Sequence, residues 1–136
     1  MKTKEQGFTL LEIMIVVTII AILMGTAIYK LAGNVEYAKR QAVTSDVQSI
    51  GTQLKLYESM NGFMPTTEQG LRALVVQPQT EPKPSRWFQL LTQFPKDPWQ
   101  SDYLYLNPGR KNPTGYDLYS AGPDRKPDTA DDDWGG

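Results

Sequence analysis

The chain has 136 residues, 40% of them apolar and 21% charged, which suits one compact domain of ordinary size and is too mixed for a disordered polyelectrolyte. Fourteen basic and fifteen acidic residues leave a net charge of -1, so there is no broad basic field to hold nucleic acid. With no cysteine, disulfide scaffolds, iron–sulfur clusters and thiol nucleophiles drop out; with no histidine, the usual general base and the usual transition-metal ligand are missing.

The first 61 residues contain no proline and four glycines, whereas all ten prolines lie at or after Pro65. That asymmetry predicts one long helix followed by a turn-rich portion. Residues 1–7, MKTKEQG, are polar, with Lys2 and Lys4 marking the side that stays cytoplasmic. Residues 8–29 carry a single charge, Glu12. As a helix they span roughly 33 Å, enough to cross the hydrocarbon core. A secretory signal peptide has a similar basic start and apolar core. This apolar run is too long for that reading, and no A-x-A-like site precedes a polar mature start, so the expectation is a retained anchor.

From residue 30 to 61 the pattern changes without a breaker. Val43, Val47, Ile50, Leu54 and Tyr57 recur at steps of four and three, an apolar stripe on one helix face, with Arg40, Asp46, Lys55 and Glu58 largely off it. Asn61-Gly62 supplies a C-terminal stop. Thr66 with Gln69 fits a capping box, which predicts a short second helix from Thr66 or Thr67 with Leu71, Leu74 and Val75 facing inward. Residues 77–86 read as a loop, and 87–94 are ambiguous between strand and short helix. The segments 103–106 (YLYL) and 116–120 (YDLYS) are β-prone and flank a turn-rich stretch, which predicts a hairpin. The fold class is α+β.

Two constellations carry chemistry. A carboxylate inside an apolar span is expensive and usually finds a partner. Nothing cationic lies within helical reach of Glu12 inside the span. Either it sits near the headgroups, or its partner comes in trans or from a newly made amino terminus. At the other end, Asp124, Asp128, Asp131, Asp132 and Asp133 put five carboxylates into ten positions. An acidic run is most often a solvated tail, and the EF-hand spacing is not met. Hard oxygen ligands around glycine and proline turns also suit calcium, which would offset the repulsion between Asp131 and Asp132.

The run Gly7-Phe8-Thr9-Leu10-Leu11-Glu12 resembles the class III signal of type IV pilins and pseudopilins. Three later segments, Pro65–Leu71 (PTTEQGL), Phe94–Trp99 (FPKDPW) and Gly122-Pro123-Asp124, are similar to the major pseudopilin family of type II secretion. That resemblance implies a type IV pilin-like fold: a long N-terminal helix with a membrane half, a short second helix, and a small antiparallel sheet with a metal-binding loop. It implies a leader over 1–7, a transmembrane half over 8–29 and a periplasmic domain over 30–136. A prepilin peptidase would cut between Gly7 and Phe8 and N-methylate Phe8, and Glu12 would dock against a neighbour's terminal amine. One structural calcium is implied, with side-chain ligands Asp124, Asp131 and Asp132 and backbone oxygens from Ala121, Lys126 and Thr129. Asp128 and Asp133 are left as surrounding charge, and Trp99 and Trp134 pack the loop.

The implied function is that of a structural major subunit, not an enzyme. Anchored in the bacterial inner membrane by one span, it would stack with copies of itself into a periplasmic filament that drives export of folded proteins. Its partners would be minor pseudopilins, the inner-membrane assembly platform and membrane lipid. The alternatives are a type IV pilin, which typically carries a C-terminal disulfide loop that this cysteine-free chain lacks, and a membrane-anchored hydrolase, whose paired acids belong on rigid elements rather than in one terminal loop. The chain departs from the family pattern at three places. Tyr29 stands where the family has a proline, and Gln100 and Arg125 stand where it has glycines.

Overall fold

The structure, a computed structural model, describes residues 7–136. The element order is a helix α1 (Leu10–Asn61), a 3-10 helix (Gly70–Leu74), and two strands, β1 (Leu104–Leu106) and β2 (Asp117–Tyr119). The chain divides into two compact units, one ending at Ala38 and one running from Lys39 to Gly136. They are taken in turn.

In the first unit, α1 begins as the sequence dictates. The Thr9 hydroxyl accepts the Glu12 amide at 3.2 Å, an N-cap that satisfies one of the free donors at the helix start. As far as residue 29 the helix carries apolar side chains on every face, with Glu12 its one charge, and Leu10, Leu11, Ile13, Met14 and Ile15 are all exposed. A helix that is hydrophobic all round wants lipid or other helices around it. Among the described residues it is long and apolar enough to cross a membrane.

In the second unit the apolar stripe of α1 is the spine of the core. Val43, Ile50, Leu54 and Tyr57 are buried, and Val47 packs against them half-buried. Gly51 lies among them because the Tyr116 hydroxyl approaches its backbone, to 3.0 Å from where a Cβ would stand. Asn61 ends the helix, its side-chain amide donating back to the Tyr57 carbonyl and its Oδ1 accepting the Arg86 amide.

The capping box forms as predicted. Thr66 Oγ1 accepts from the Gln69 amide at 3.1 Å, and Gln69 Oε1 accepts from the Thr66 amide at 3.2 Å. The predicted second helix does not continue as an α-helix. Gly70 takes a positive φ of 55°, which no α-helix propagates through, and the chain tightens into the 3-10 segment Gly70–Leu74. Leu71 and Leu74 face inward as expected, and Val75 is half-buried.

Residues 87–94 form neither strand nor helix. Their backbone bonds go elsewhere: the Leu90 and Leu91 amides both donate to the Leu74 carbonyl, and the Trp87 indole N–H donates to the Ala73 carbonyl. This segment is a strap across the end of the 3-10 helix. The hairpin is present and antiparallel, with Leu104 opposite Tyr119, Tyr105 opposite Leu118 and Leu106 opposite Asp117. Tyr103, Tyr105 and Leu118 turn into the core with Leu71, Leu74 and Trp99.

Candidate functional site

Two regions hold the residues singled out from sequence. At the N-terminus, residues 1–6, including Lys2 and Lys4, lie outside the described residues. Gly7 and Phe8 precede α1, and an added Cβ at Gly7 would meet nothing within 4 Å. The fold therefore gives no steric reason for glycine there. Glu12 sits in the first turn, at the third helical position after Thr9. This T-x-x-E spacing is a capping box that sequence reading did not mark. Only its hydroxyl half forms, and the Glu12 carboxylate has no hydrogen bond or ion pair among the described residues.

The C-terminal loop is built from β2 outward. Ser120 and Asp133 form a two-way backbone pair, N–H to O at 2.8 and 2.9 Å, which closes the loop 121–132 at its base. Asp97, fully buried, anchors that base. It accepts the Trp99 amide (3.0 Å), the Ser101 amide (2.7 Å) and the Ser120 hydroxyl (2.6 Å), and Ser120 Oγ in turn accepts the Gly122 amide. The Phe94–Trp99 segment thus acts as the footing of the loop. Gly122 lies so close to the returning strand that a Cβ would stand 2.3 Å from the Asp131 carbonyl oxygen.

Within the loop, hydrogen bonds link Asp124, Lys126, Thr129, Asp131 and Asp132. Asp131 Oδ2 accepts the Asp124 amide at 3.1 Å, and Asp124 Oδ1 accepts the Lys126 amide at 2.8 Å. The Thr129 hydroxyl stands among three of the expected oxygens: Asp131 Oδ1 at 2.6 Å, the Lys126 carbonyl at 3.1 Å and Asp132 Oδ1 at 3.5 Å. The hydrogen bond from Thr129, with that from the Asp124 amide, holds the Asp131 carboxyl below its ordinary pKa. Ala121 is buried at the base. Asp128 is drawn away to Arg110, 3.2 Å from its guanidinium, and Asp133 to Arg40 at 3.6 Å.

Among the described residues no three acidic side chains are grouped closely enough to hold a metal ion; the loop carboxylates accept loop amides or the Thr129 hydroxyl. The donor set is nonetheless all hard oxygen, mixing carboxylate with carbonyl, and matches calcium rather than zinc or copper. Both departures from glycine keep the glycine conformation: Gln100 has φ 69° and Arg125 φ 59°. The turns are preserved with side chains that occupy this region at a cost.

Sequence reading missed the buried acids. Asp97 and Asp117 are each 3% exposed or less, and Asp117 accepts the Arg110, Lys111 and Asn112 amides of the hairpin turn at 2.6, 2.8 and 3.0 Å. Asp97, beside Pro98, reads simply as a turn residue, and Asp117 falls inside a run that reads as a strand; the available signal was the capacity of an aspartate to bond amides of a nearby turn.

The comparisons agree with this anatomy. The family described as "Type II secretion system (T2SS), protein G" matches residues 30–134, and the "Prokaryotic N-terminal methylation motif" matches residues 2–28. The type II secretion system core protein G of Dickeya chrysanthemi is 42% identical over 134 residues, covering 97% of this chain and 86% of that protein. The core protein G of Escherichia coli K12 is 41% identical over 136 residues, covering 97% and 92%. The crystal structure of the major pseudopilin from the type 2 secretion system of enterohaemorrhagic E. coli superposes with a TM-score of 0.68 at 44% identity, over 75% of this chain and 90% of that one. These likenesses favour the pseudopilin over the type IV pilin. Matched from the methylation motif to Trp134, this chain belongs to the type II secretion system protein G family.

Proposed function

We propose that the chain is cut between Gly7 and Phe8, methylated at Phe8, and assembled through its N-terminal helix into a periplasmic filament. Export of folded proteins across the outer membrane would follow from that filament's growth. Membrane lipid, the inner-membrane platform, the prepilin peptidase and minor pseudopilins are its partners, and the globular unit lies in the periplasm. The family is a structural one, and the chain's part in export is mechanical.

The carrying observation is the exposed apolar stretch whose one carboxylate, Glu12, has no partner among the described residues and lies one turn from the proposed new terminus. An unpaired carboxylate is poorly tolerated in hydrocarbon, so a neighbour's terminal amine gives it a partner and fixes the stagger between subunits. Glu12→Val removes the carboxylate on which that amine docks. Fractionation and electron microscopy of sheared filaments are expected to find the variant inserted in membranes at normal level but absent from filaments; normal filaments from it contradict the docking role.

The loop 121–132 is proposed to take one calcium ion, with Asp124, Asp131 and Asp132 supplying carboxylate oxygens and Ala121, Lys126 and Thr129 backbone oxygens. The ion supplies charge neutralisation. What the chain itself contributes is the closed base at Ser120 and Asp133 and the close approach at Gly122. Melting of the full chain in detergent, in calcium and in a chelator, tests this: the melting temperature rises with calcium concentration, and does not in Asp124→Ala. Equal melting of the unsubstituted chain in both conditions contradicts it.

A further inference from the structure

Trp134, just past the acidic loop, makes two ring contacts. Trp134 stacks on Tyr119 of β2 with ring centroids 4.1 Å apart and planes 16° from parallel. That ring covers one face of the indole. The Lys111 ammonium lies 3.6 Å from the indole centroid, which places it over the other face. The Lys111 backbone is held by its amide, which donates to the buried Asp117 carboxylate at 2.8 Å. Immediately before Trp134, Asp133 is paired to Ser120 in both directions, and its carboxylate accepts the Gly135 amide and meets Arg40.

We propose that Trp134 is a positioning residue for the cation bound by loop 121–132, a role that rests on the calcium reading above. The indole fixes the exit of the loop two residues after Asp132, so that Asp131 and Asp132 are already on the same side of the base as Asp124 when the ion arrives. A loop whose exit is free must be closed and ordered by binding, and affinity falls by that cost. Tyr119 and Lys111 form the clamp that holds the indole. Because tryptophan is neutral, its removal leaves the charge of the acidic loop unchanged, and any change in affinity reports on order rather than on electrostatics.

Calorimetric titration of the full chain in detergent with calcium chloride tests this, comparing the unsubstituted protein with Trp134→Ala, Trp134→Phe and Trp134→Leu. The expected result is a dissociation constant about tenfold weaker in Trp134→Ala. Trp134→Phe, which keeps a ring to stack on Tyr119, should recover most of that loss. Trp134→Leu, which fills space without an aromatic face, should stay weak and is the variant to read if the alanine form is poorly folded. A merely structural tryptophan would lower the melting temperature in calcium and in chelator alike and leave the dissociation constant unmoved; that outcome overturns the proposal. Absence of calcium binding by the unsubstituted chain would instead overturn the calcium reading itself.

Discussion

At the residue scale, the informative positions are those whose backbone conformation disagrees with their side chain. Arg125 and Gln100 both sit at positive φ. A side chain there costs about 1–2 kcal/mol, of which glycine's extra freedom in the unfolded chain returns about half. Arg125→Gly and Gln100→Gly should therefore each stabilise the globular unit by about 0.5–1 kcal/mol in urea unfolding; a loss of stability would mean that these side chains make up for their strain. Gly122 is the opposite case. With φ 68° and the Asp131 carbonyl where a Cβ would go, Gly122→Ala should cost at least about 1–2 kcal/mol and deform the acidic loop. Arg125 stands where a glycine would enter the turn without strain. The turn survives, because the Arg125 amide still reaches the Gly122 carbonyl at 3.2 Å and the Asp124 carboxylate takes the next amide but one. Local hydrogen bonds of that kind offset strain, and a single sequence does not display them.

At the scale of elements, α1 was legible because its stripe repeats at helical spacing for four turns, and burial follows the same residues. Leu54, fully buried on that stripe, should cost about 2–5 kcal/mol on truncation to alanine, read as a lower urea midpoint with an unchanged slope. The hairpin was legible too, from two β-prone runs either side of a proline and glycine stretch. The segment after Thr66 was half legible: the capping box formed, but Gly70 at positive φ diverted the helix. Residues 87–94 were not legible, since their apolar pattern serves a strap whose partners are carbonyls of a distant 3-10 turn. Such long-range pairing leaves no local period. The same holds for Asp97, whose bond to the Ser120 hydroxyl spans 23 positions. Asp97→Ala should leave the two amides and that hydroxyl short of a partner, lowering stability by about 1–3 kcal/mol.

For the whole molecule, the globular unit concentrates its aromatic side chains around one helix face, and burial gives it a pH limit. Tyr57, Tyr103, Tyr105, Tyr116 and Tyr119 all have pKa values raised above 10.0, chiefly because burial penalises the phenolate. Tyr103 adds a hydrogen bond to the Asp46 carboxylate at 2.8 Å. In the unfolded chain these phenols ionise near pH 10, in the folded one later, so above that pH the unfolded state binds fewer protons. The stabilisation is intact below pH 10 and declines as pH rises further. The melting temperature should hold level through neutral pH and fall above about 10, with tyrosinate absorbance appearing as the unit unfolds. Absorbance from these five tyrosines at pH 10 without loss of structure would contradict the burial argument.

The N-terminal unit is explained differently. The apolar side chains of residues 8–29 are exposed among the described residues, and Glu12, the one carboxylate of that stretch, finds no partner there. The proposed assembly in a membrane would account for both features, and it would depend on exposing a new amino terminus at Phe8. The most direct measurement is the N-terminal mass of the chain recovered from sheared filaments of cells that make it together with the prepilin peptidase and assembly platform. The account predicts a chain beginning at Phe8 with its amine methylated, and none beginning at Met1. Filaments built from chains that retain residues 1–7 would contradict it.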